Sequence, residues 1–246
     1  LESSGGGGSG SPTPTVVLEA CINFGAKSTG TEALPYVIRK NPNNTARPII
    51  DGEHVYGGNQ SQKSGINLGS TNHIHMRNLE LKNFLAYGVH ASDSGKADIW
   101  DASNGNEGAV VDGCYIHHVG GGDNDAGVYF SRNGNAVVRN TLFRDIYGYP
   151  DFAIDGYGPD KRQGASIYGF GMYRCLYEFN QTDKVGLTTG FVETASIFGI
   201  SCKDYFVDAS GNSLDSICVR YNYSDTHGAA FALWGQPGAP SGKSSF

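Results

Sequence analysis

The chain has 246 residues and a formal net charge of −6; 39% of its residues are hydrophobic and 17% are charged. This composition is that of a globular chain and excludes intrinsic disorder. The acidic balance argues against non-specific nucleic-acid binding, which needs a basic face. No apolar run reaches the roughly 18 residues that a membrane span requires.

The first segment, residues 1–15, consists almost entirely of Gly, Ser, Pro and Thr. This composition is typical of a linker, flexible in its Gly/Ser part and stiffer at Pro12 and Pro14. We therefore divide the chain into a leader, residues 1–15, and a domain, residues 16–246. Because the chain begins at Leu1, we expect a processed chain or a fragment. Fixing Gly-rich backbone costs about 1–2 kcal/mol per residue, so we expect an ordered leader to be held by a neighbouring subunit.

A short pattern recurs through the domain: an apolar residue, any residue, Asn or Gly, two variable residues and a second apolar residue. Its copies are 35, 27, 29 and 30 residues apart and begin at Met76, Val111, Val138, Ile167 and Ile197. A weaker copy begins at Val219. A period of roughly 20–50 residues built from short strands is typical of a solenoid.

Physical constraints select the kind of solenoid. Short strands bury their apolar side only by stacking about 4.8 Å apart on the next coil, and Asn or Gly suits the corners because both tolerate positive φ. No amphipathic helix of about ten residues separates the copies. We predict an all-β fold, a right-handed single-stranded parallel β-helix, with these residues in one core: Val111, Ile116, Val138, Phe143, Ile167, Met172 and Ile197.

Four segments carry a family resemblance: Pro35–Lys40, Arg47–Gly52, Ser64–Leu68 and His73–Phe84. They resemble the opening coils of pectate-lyase-like β-helix proteins, and the resemblance extends over most of the chain. It implies the parallel β-helix fold. It implies no particular activity, because this fold hosts lyases, hydrolases, phage spikes, adhesins and inert structural coils.

One functional hypothesis is a calcium-assisted lyase acting on an acidic polysaccharide, an arrangement similar to that of β-helix polysaccharide lyases. If the second strands of successive repeats stack in register, Asp125 and Asp151 lie about 5 Å apart, with Lys184 on the next coil. These carboxylates and Asp123 suit Ca²⁺, which takes about six to eight oxygen ligands. Lys184 is then the catalytic base that removes the proton next to the uronate carboxylate. The same groove suits sugar binding without turnover, and the sequence leaves open whether the chain is an enzyme.

Histidines and cysteines give weaker signals. His117 and His118 are adjacent on a predicted strand, so we expect them on opposite faces and expect no shared metal. The five cysteines lack CxxC spacing. Cys202 and Cys218 lie near the same coil boundary, which leaves a disulfide and two free thiols equally open.

The hypothesis that we favour is a structural protomer. An open β-helix presents unpaired backbone at both ends, and an extended leader can add to the sheet edge or groove of the next subunit. Four N-x-S/T sequons predict N-linked glycans and an extracellular or cell-surface location; they lie at Asn43, Asn59, Asn180 and Asn222. We therefore expect a glycosylated homo-oligomer or filament without a cofactor, a nucleic-acid partner or a membrane span.

Overall fold

The computed structural model of the chain describes residues 18–24, 30–53, 62–92, 106–120, 125–146, 164–185, 197–204, 217–226 and 230–235. Within these ranges the chain forms strands and no helix, and every strand pairing is parallel. No described segment is a helix long and apolar enough to cross a membrane.

Three sheets contain nearly all the strands, and the chain visits them in a fixed order. Sheet A comprises β1 (Leu18–Asn23), β4 (Gln62–Asn67), β7 (Tyr87–Ser92), β11 (Asp125–Ser131), β15 (Gly164–Phe170), β18 (Ile197–Asp204) and β21 (Phe231–Gly235). Sheet B comprises β2 (Tyr36–Arg39), β5 (Ile74–Arg77), β9 (Val110–Asp112), β13 (Val137–Arg139), β16 (Leu176–Glu178) and β19 (Cys218–Arg220). Sheet C comprises β3 (Ile49–Asp51), β6 (Glu80–Phe84), β10 (Tyr115–Val119), β14 (Leu142–Ile146), β17 (Gln181–Val185) and β20 (Tyr223–Thr226). Two further strands, β8 (Asn106–Glu107) and β12 (Asn133–Gly134), pair with each other.

The strand order defines a coil. Within each sheet, a strand pairs with the strand of the preceding turn and with that of the following turn. Stacking therefore satisfies the backbone hydrogen bonds of strands that are too short to bury an apolar face alone. The part of the chain that the structure describes is all-β and consists of stacked parallel strands, which is consistent with the predicted solenoid class.

The core lies inside the coil, where inward side chains of successive turns form columns. Sheet A contributes Ile22, Ile66, Val89, Val128, Ile167, Ile200 and Phe231. Sheet B contributes Ile38, Met76, Val111, Val138, Tyr177 and Val219. Sheet C contributes Ile50, Leu81, Ile116, Phe143, Thr182 and Ser224.

The predicted core is confirmed at every position whose side chain the structure describes. Six of the predicted residues are at most 2% exposed: Val111, Ile116, Val138, Phe143, Ile167 and Met172. The side chain of the seventh, Ile197, lies outside the described residues.

The predicted repeat register is correct for three copies. Met76, Val111 and Val138 lie opposite one another in sheet B. The next residue of this column is Tyr177, whereas the prediction placed Ile167 there. Tyr177 did not match the repeat because Phe179, two positions later, replaces the expected Asn or Gly.

Two predicted copies belong to another sheet. Ile167 lies in sheet A opposite Val128, and Ile197 lies in the same sheet opposite Gly164. The weaker copy at Val219 does continue the column in sheet B. The prediction failed because strands of sheet A also contain an apolar residue followed two positions later by Gly.

The corner between sheets B and C uses a left-handed residue in successive turns. Asn78, Gly113 and Asn140 have φ values of 54°, 66° and 51°, as the repeat predicted. In later turns Phe179 and Tyr221 adopt φ values of 54° and 55°, a conformation that is uncommon for bulky residues. Their rings stack 5.1 Å apart with a 12° tilt, and this contact offsets part of the backbone strain.

Glycines in sheet A make room for large side chains of sheet C. A Cβ atom on Gly127 would lie 2.5 Å from Cδ1 of Phe143 and 2.8 Å from the carbonyl oxygen of Ser166. Ser166 occupies the same position in the next turn, where sheet C supplies the smaller Thr182, and the Thr182 hydroxyl donates to the Ser166 Oγ at 2.9 Å. At this pair of positions the large Phe143 faces a glycine, whereas the smaller Thr182 faces a serine.

All five cysteines are free thiols, so Cys202 and Cys218 are not joined by a disulfide. Burial raises the pKa of Cys114 to about 11 and that of Cys175 to about 12. Both thiols are therefore protonated at neutral pH and serve as small apolar core residues.

Candidate functional site

The predicted lyase residues do not share the predicted register. Asp125 lies in β11 of sheet A, is 1% exposed, and has Gly164 as its partner in the next turn. The prediction placed Asp151 in that position, whereas the strand pairing places Gly164 there. Asp123 and Asp151 themselves lie outside the described residues.

The predicted base belongs to a different sheet. Lys184 lies in β17 of sheet C, whose neighbours are β14 and β20, so it does not continue the column of Asp125 in sheet A. Its side chain lies outside the described residues. Among the residues that the structure describes, no three or more His, Cys, Asp and Glu side chains form a group placed to hold a metal ion.

The outer face of sheet A carries an aromatic column. His90, Tyr129 and Tyr168 occupy the same position in successive turns. The rings of Tyr129 and Tyr168 stack 5.3 Å apart with a 9° tilt, and Tyr87 stacks on His90 at 4.6 Å with a 10° tilt. Because these rings turn their faces toward one another, the faces that a sugar would contact are already occupied. The column stabilises the coil.

A cluster of titratable side chains lies on the outer face of sheet C. The Nδ1 atoms of His117 and His118 are 2.6 Å apart. The Nε2 atom of His117 lies 3.3 Å from Oε1 of Glu80, and the Nε2 atom of His118 lies 3.8 Å from Oδ2 of Asp145. The ring of Tyr115 stacks on that of His117 at 4.2 Å.

The prediction that His117 and His118 point to opposite faces is wrong. His118 has a φ of 53°, and this left-handed residue interrupts the alternation of an extended strand, as a bulge does. Asn83 and Asp145 have φ values of 60° and 49° in the neighbouring turns. The Asn and Asp in those positions were a usable signal, because both residue types tolerate left-handed backbone.

The surroundings of His117 lower the pKa of its imidazole. Burial lowers the pKa of His117, and the neighbouring charges of His118 and Lys82 lower it further. The hydrogen bond to Glu80 acts in the opposite direction without reversing the shift. Lys82 is itself paired with Asp51, at 3.2 Å.

The two ends of the described coil expose apolar side chains. In the first turn Tyr36 is 50% and Ile49 54% exposed, and in the last turns Tyr221 is 71% and Tyr223 62% exposed.

A cavity of about 220 Å³ lies inside the last turns, and its lining includes Thr182, Gly199, Val219, Asn222, Ser224 and Phe231. The Ser224 hydroxyl is buried there and has no hydrogen-bond partner among the described residues.

The sequons occupy different environments. Asn43 is exposed, and Asn59 lies outside the described residues. Asn180 is 4% exposed and its amide nitrogen donates to the carbonyl of Val138 at 2.9 Å. The amide nitrogen of Asn222 donates to the carbonyl of Tyr177, also at 2.9 Å. A glycan on Asn180 would therefore require this corner of the coil to open.

Comparisons with known proteins define no family for the chain. No protein-family model matches it, and neither the curated proteins nor the solved structures yield a significant match.

Proposed function

We propose that this chain is a right-handed single-stranded parallel β-helix that acts as a structural protomer and stacks end to end on copies of itself. The observation that carries the proposal is the incomplete burial of the core columns at both ends of the described coil. Ile22, Ile38 and Ile50 are partly exposed in the first turn, as are Val219 and Phe231 in the last turns. Stacking a second copy would bury these apolar side chains at about 25 cal/mol per Å².

The strand edges support the same arrangement. Within the described residues, β2 and β3 each pair on one side only, and so do β19 and β20 at the other end. Unpaired edges present free N–H and C=O groups that can pair with another chain. The edges at the two ends belong to the same sheets and run in the same direction, so a copy translated along the coil axis would extend every sheet.

The leader, residues 1–15, lies outside the described residues, but the strand count supports a role for it in the assembly. Sheet A has seven strands, whereas sheets B and C have six each. A copy whose β1 paired with β21 would leave one strand position open in each of the two shorter sheets, between β19 and the β2 of that copy and between β20 and its β3. An extended leader of fifteen residues reaches up to about 50 Å, which is long enough to fill these positions. The leader strand would also separate Arg220 from the Arg39 of the neighbouring copy.

We further propose that the assembly is an extracellular or cell-surface filament that carries N-linked glycans. The exposed Asn43 supports glycosylation at the surface of the coil. The lyase and sugar-binding hypotheses have no comparable support, because Asp125 and Lys184 lie in different sheets and the aromatic rings of sheet A face one another.

A proline at the free edge of β2 tests the proposal. The N–H of Tyr36 donates to the carbonyl of His73, the residue before β5, and the N–H of Lys40 donates to the carbonyl of Arg77 in β5. Because successive N–H groups of a strand point to opposite sides, the N–H of Val37 points to the free edge. Val37→Pro removes that donor without removing an internal one. We expect the variant to stay folded by circular dichroism and to lose assembly in sedimentation velocity and negative-stain microscopy.

Val37→Ala is the matched control, because it shortens the same exposed side chain and keeps the N–H group. It should assemble like the unmodified chain. Filaments formed equally well by Val37→Pro, or an unmodified chain that stays monomeric at high concentration, would contradict the proposal.

A further inference from the structure

His117 and His118 on sheet C have a geometry that the proposed end-to-end stacking does not use. The Nδ1 atoms of His117 and His118 converge to 2.6 Å, while each Nε2 atom faces a carboxylate, that of Glu80 at 3.3 Å or that of Asp145 at 3.8 Å. Imidazoles that bind a metal through one nitrogen almost always donate the other N–H to a carboxylate, a backbone carbonyl or water. His117 thus has the outer hydrogen-bonding partner of a metal ligand, and the Nε2 atom of His118 has a carboxylate nearby, beyond hydrogen-bond distance.

The distance between the two Nδ1 atoms is close to the distance needed for both to bind one metal ion. Two imidazole nitrogens at about 2.0–2.1 Å from one metal ion, at tetrahedral or right angles, lie about 3 Å apart. The observed 2.6 Å needs an opening of roughly half an ångström by that geometry. The side chain of His118 is 42% exposed, so it can move outward by this amount, and water can reach the remaining coordination positions.

We propose that His117 and His118 form a binding site for a divalent transition-metal ion of the kind that prefers imidazole, such as Zn²⁺, Cu²⁺ or Ni²⁺. The hard oxygen-preferring ion Ca²⁺ does not fit this donor set. Glu80 and Asp145 hold the outer nitrogens, and the two imidazoles are the only protein ligands assigned, so water completes the coordination. Without metal, a single N–H bridges the two Nδ1 atoms.

Metal binding requires a defined proton movement. The bridging proton leaves its Nδ1 atom, and the Nε2 atom of the same ring gains a proton, so both Nδ1 lone pairs become ligands and no net proton is released. For His118 this places an N–H opposite the Asp145 carboxylate.

The first test is calorimetric titration of the full chain with Zn²⁺ alone. We expect one ion per chain, and we expect His118→Gln to lower the affinity at least tenfold. His75→Gln is the matched control, because His75 is also half-buried on an outer face but its Nδ1 atom lies 3.5 Å from an Arg77 nitrogen. Absence of stoichiometric binding, or equal losses in the two variants, would overturn the proposal.

A second measurement does not depend on how the variants fold. Cu²⁺ bound to the unmodified chain should give an electron paramagnetic resonance spectrum with coupling to two nitrogens, and a spectrum of one nitrogen or of a mixture of sites would refute the pair as ligands.

Glu80→Gln and Asp145→Asn should each weaken Zn²⁺ binding by about 10- to 100-fold. Unchanged affinity in both variants would show that the carboxylates do not support a site.

Discussion

Asn222 accepts a hydrogen bond from the backbone N–H of Asn180 at 2.9 Å, one turn of the coil away. Asn180 in turn accepts one from the backbone N–H of Thr141 at 3.1 Å. The two side chains form an asparagine ladder at the corner between sheets B and C. Because Thr141 and Asn180 are buried, the ladder supplies partners to backbone groups that water does not reach.

The asparagine ladder predicts unequal effects of two similar substitutions. Asn180→Ala leaves the buried N–H of Thr141 and the carbonyl of Val138 without these partners, which costs about 1–3 kcal/mol per unsatisfied group. Asn222→Ala removes the partner of the buried Asn180 N–H, but it should cost less in total, because Asn222 is itself only partly buried and water can replace its bonds to the backbone carbonyls. Urea unfolding of both variants measures the difference. A larger loss of stability in Asn222→Ala than in Asn180→Ala would contradict the assignment of Asn180 as the more important residue of the ladder.

The close contact of Gly127 with Phe143 predicts that Gly127→Ala is destabilising. The added Cβ atom would lie 2.5 Å from the Phe143 ring, and overpacking of this kind typically costs about 1–3 kcal/mol. The double variant Gly127→Ala, Phe143→Leu should lose less than the sum of the two single variants, because the smaller side chain relieves the contact. Thermal unfolding of the four proteins tests this, and strict additivity would show that the ring is not the obstacle.

The lowered pKa of Asp112 predicts part of the loss of stability of the fold in acid. Its carboxylate accepts hydrogen bonds from Arg139 and Asn140, both at 3.0 Å. Burial acts to raise the pKa of Asp112, but these bonds and the Arg139 charge together lower the pKa below its usual value. The resulting stabilisation is complete above the unfolded-state pKa of about 4 and is lost as pH falls through the lower folded-state pKa.

Asp112→Asn should therefore reduce stability at about pH 6 and have a smaller effect at about pH 2.5. The effect should not exceed about 1 kcal/mol, because the Arg139 side chain is 40% exposed and solvent screens the pair. Urea unfolding at both pH values gives the comparison, with Glu32→Gln, at an exposed position, as the control. A pH-independent effect of Asp112→Asn would exclude the ion pair as its cause.

Deletion of residues 1–15 separates folding from assembly. The core columns are made by residues after the leader, so we expect the truncated chain to keep its β circular dichroism spectrum and its unfolding midpoint. We also expect it to sediment as a monomer. Filaments formed by the truncated chain would show that the leader is not the link between subunits.

The sequence by itself determined the class of fold and much of its core. Short apolar strands at a period near 30 residues, with Asn or Gly at the corners, have few ways to bury their apolar sides, and stacked parallel strands are the one that fits. The alignment of Met76, Val111 and Val138 was correct because Asn78, Gly113 and Asn140 mark the same left-handed corner in each turn. At these corners the residue type alone was enough to predict the register.

The tertiary structure decided what local chemistry does not encode. Phe179 and Tyr221 adopt the left-handed conformation at the corner position that Asn or Gly occupies in earlier turns, and their rings stack across turns. The corner signal is therefore absent from the sequence there, and the register was lost after Val138. His117 and His118 share a face because backbone geometry at His118 interrupts the strand alternation. Connection lengths vary between turns, so the turn that follows Asp125 could not be counted from the sequence, and strand pairing alone placed Gly164 beside it.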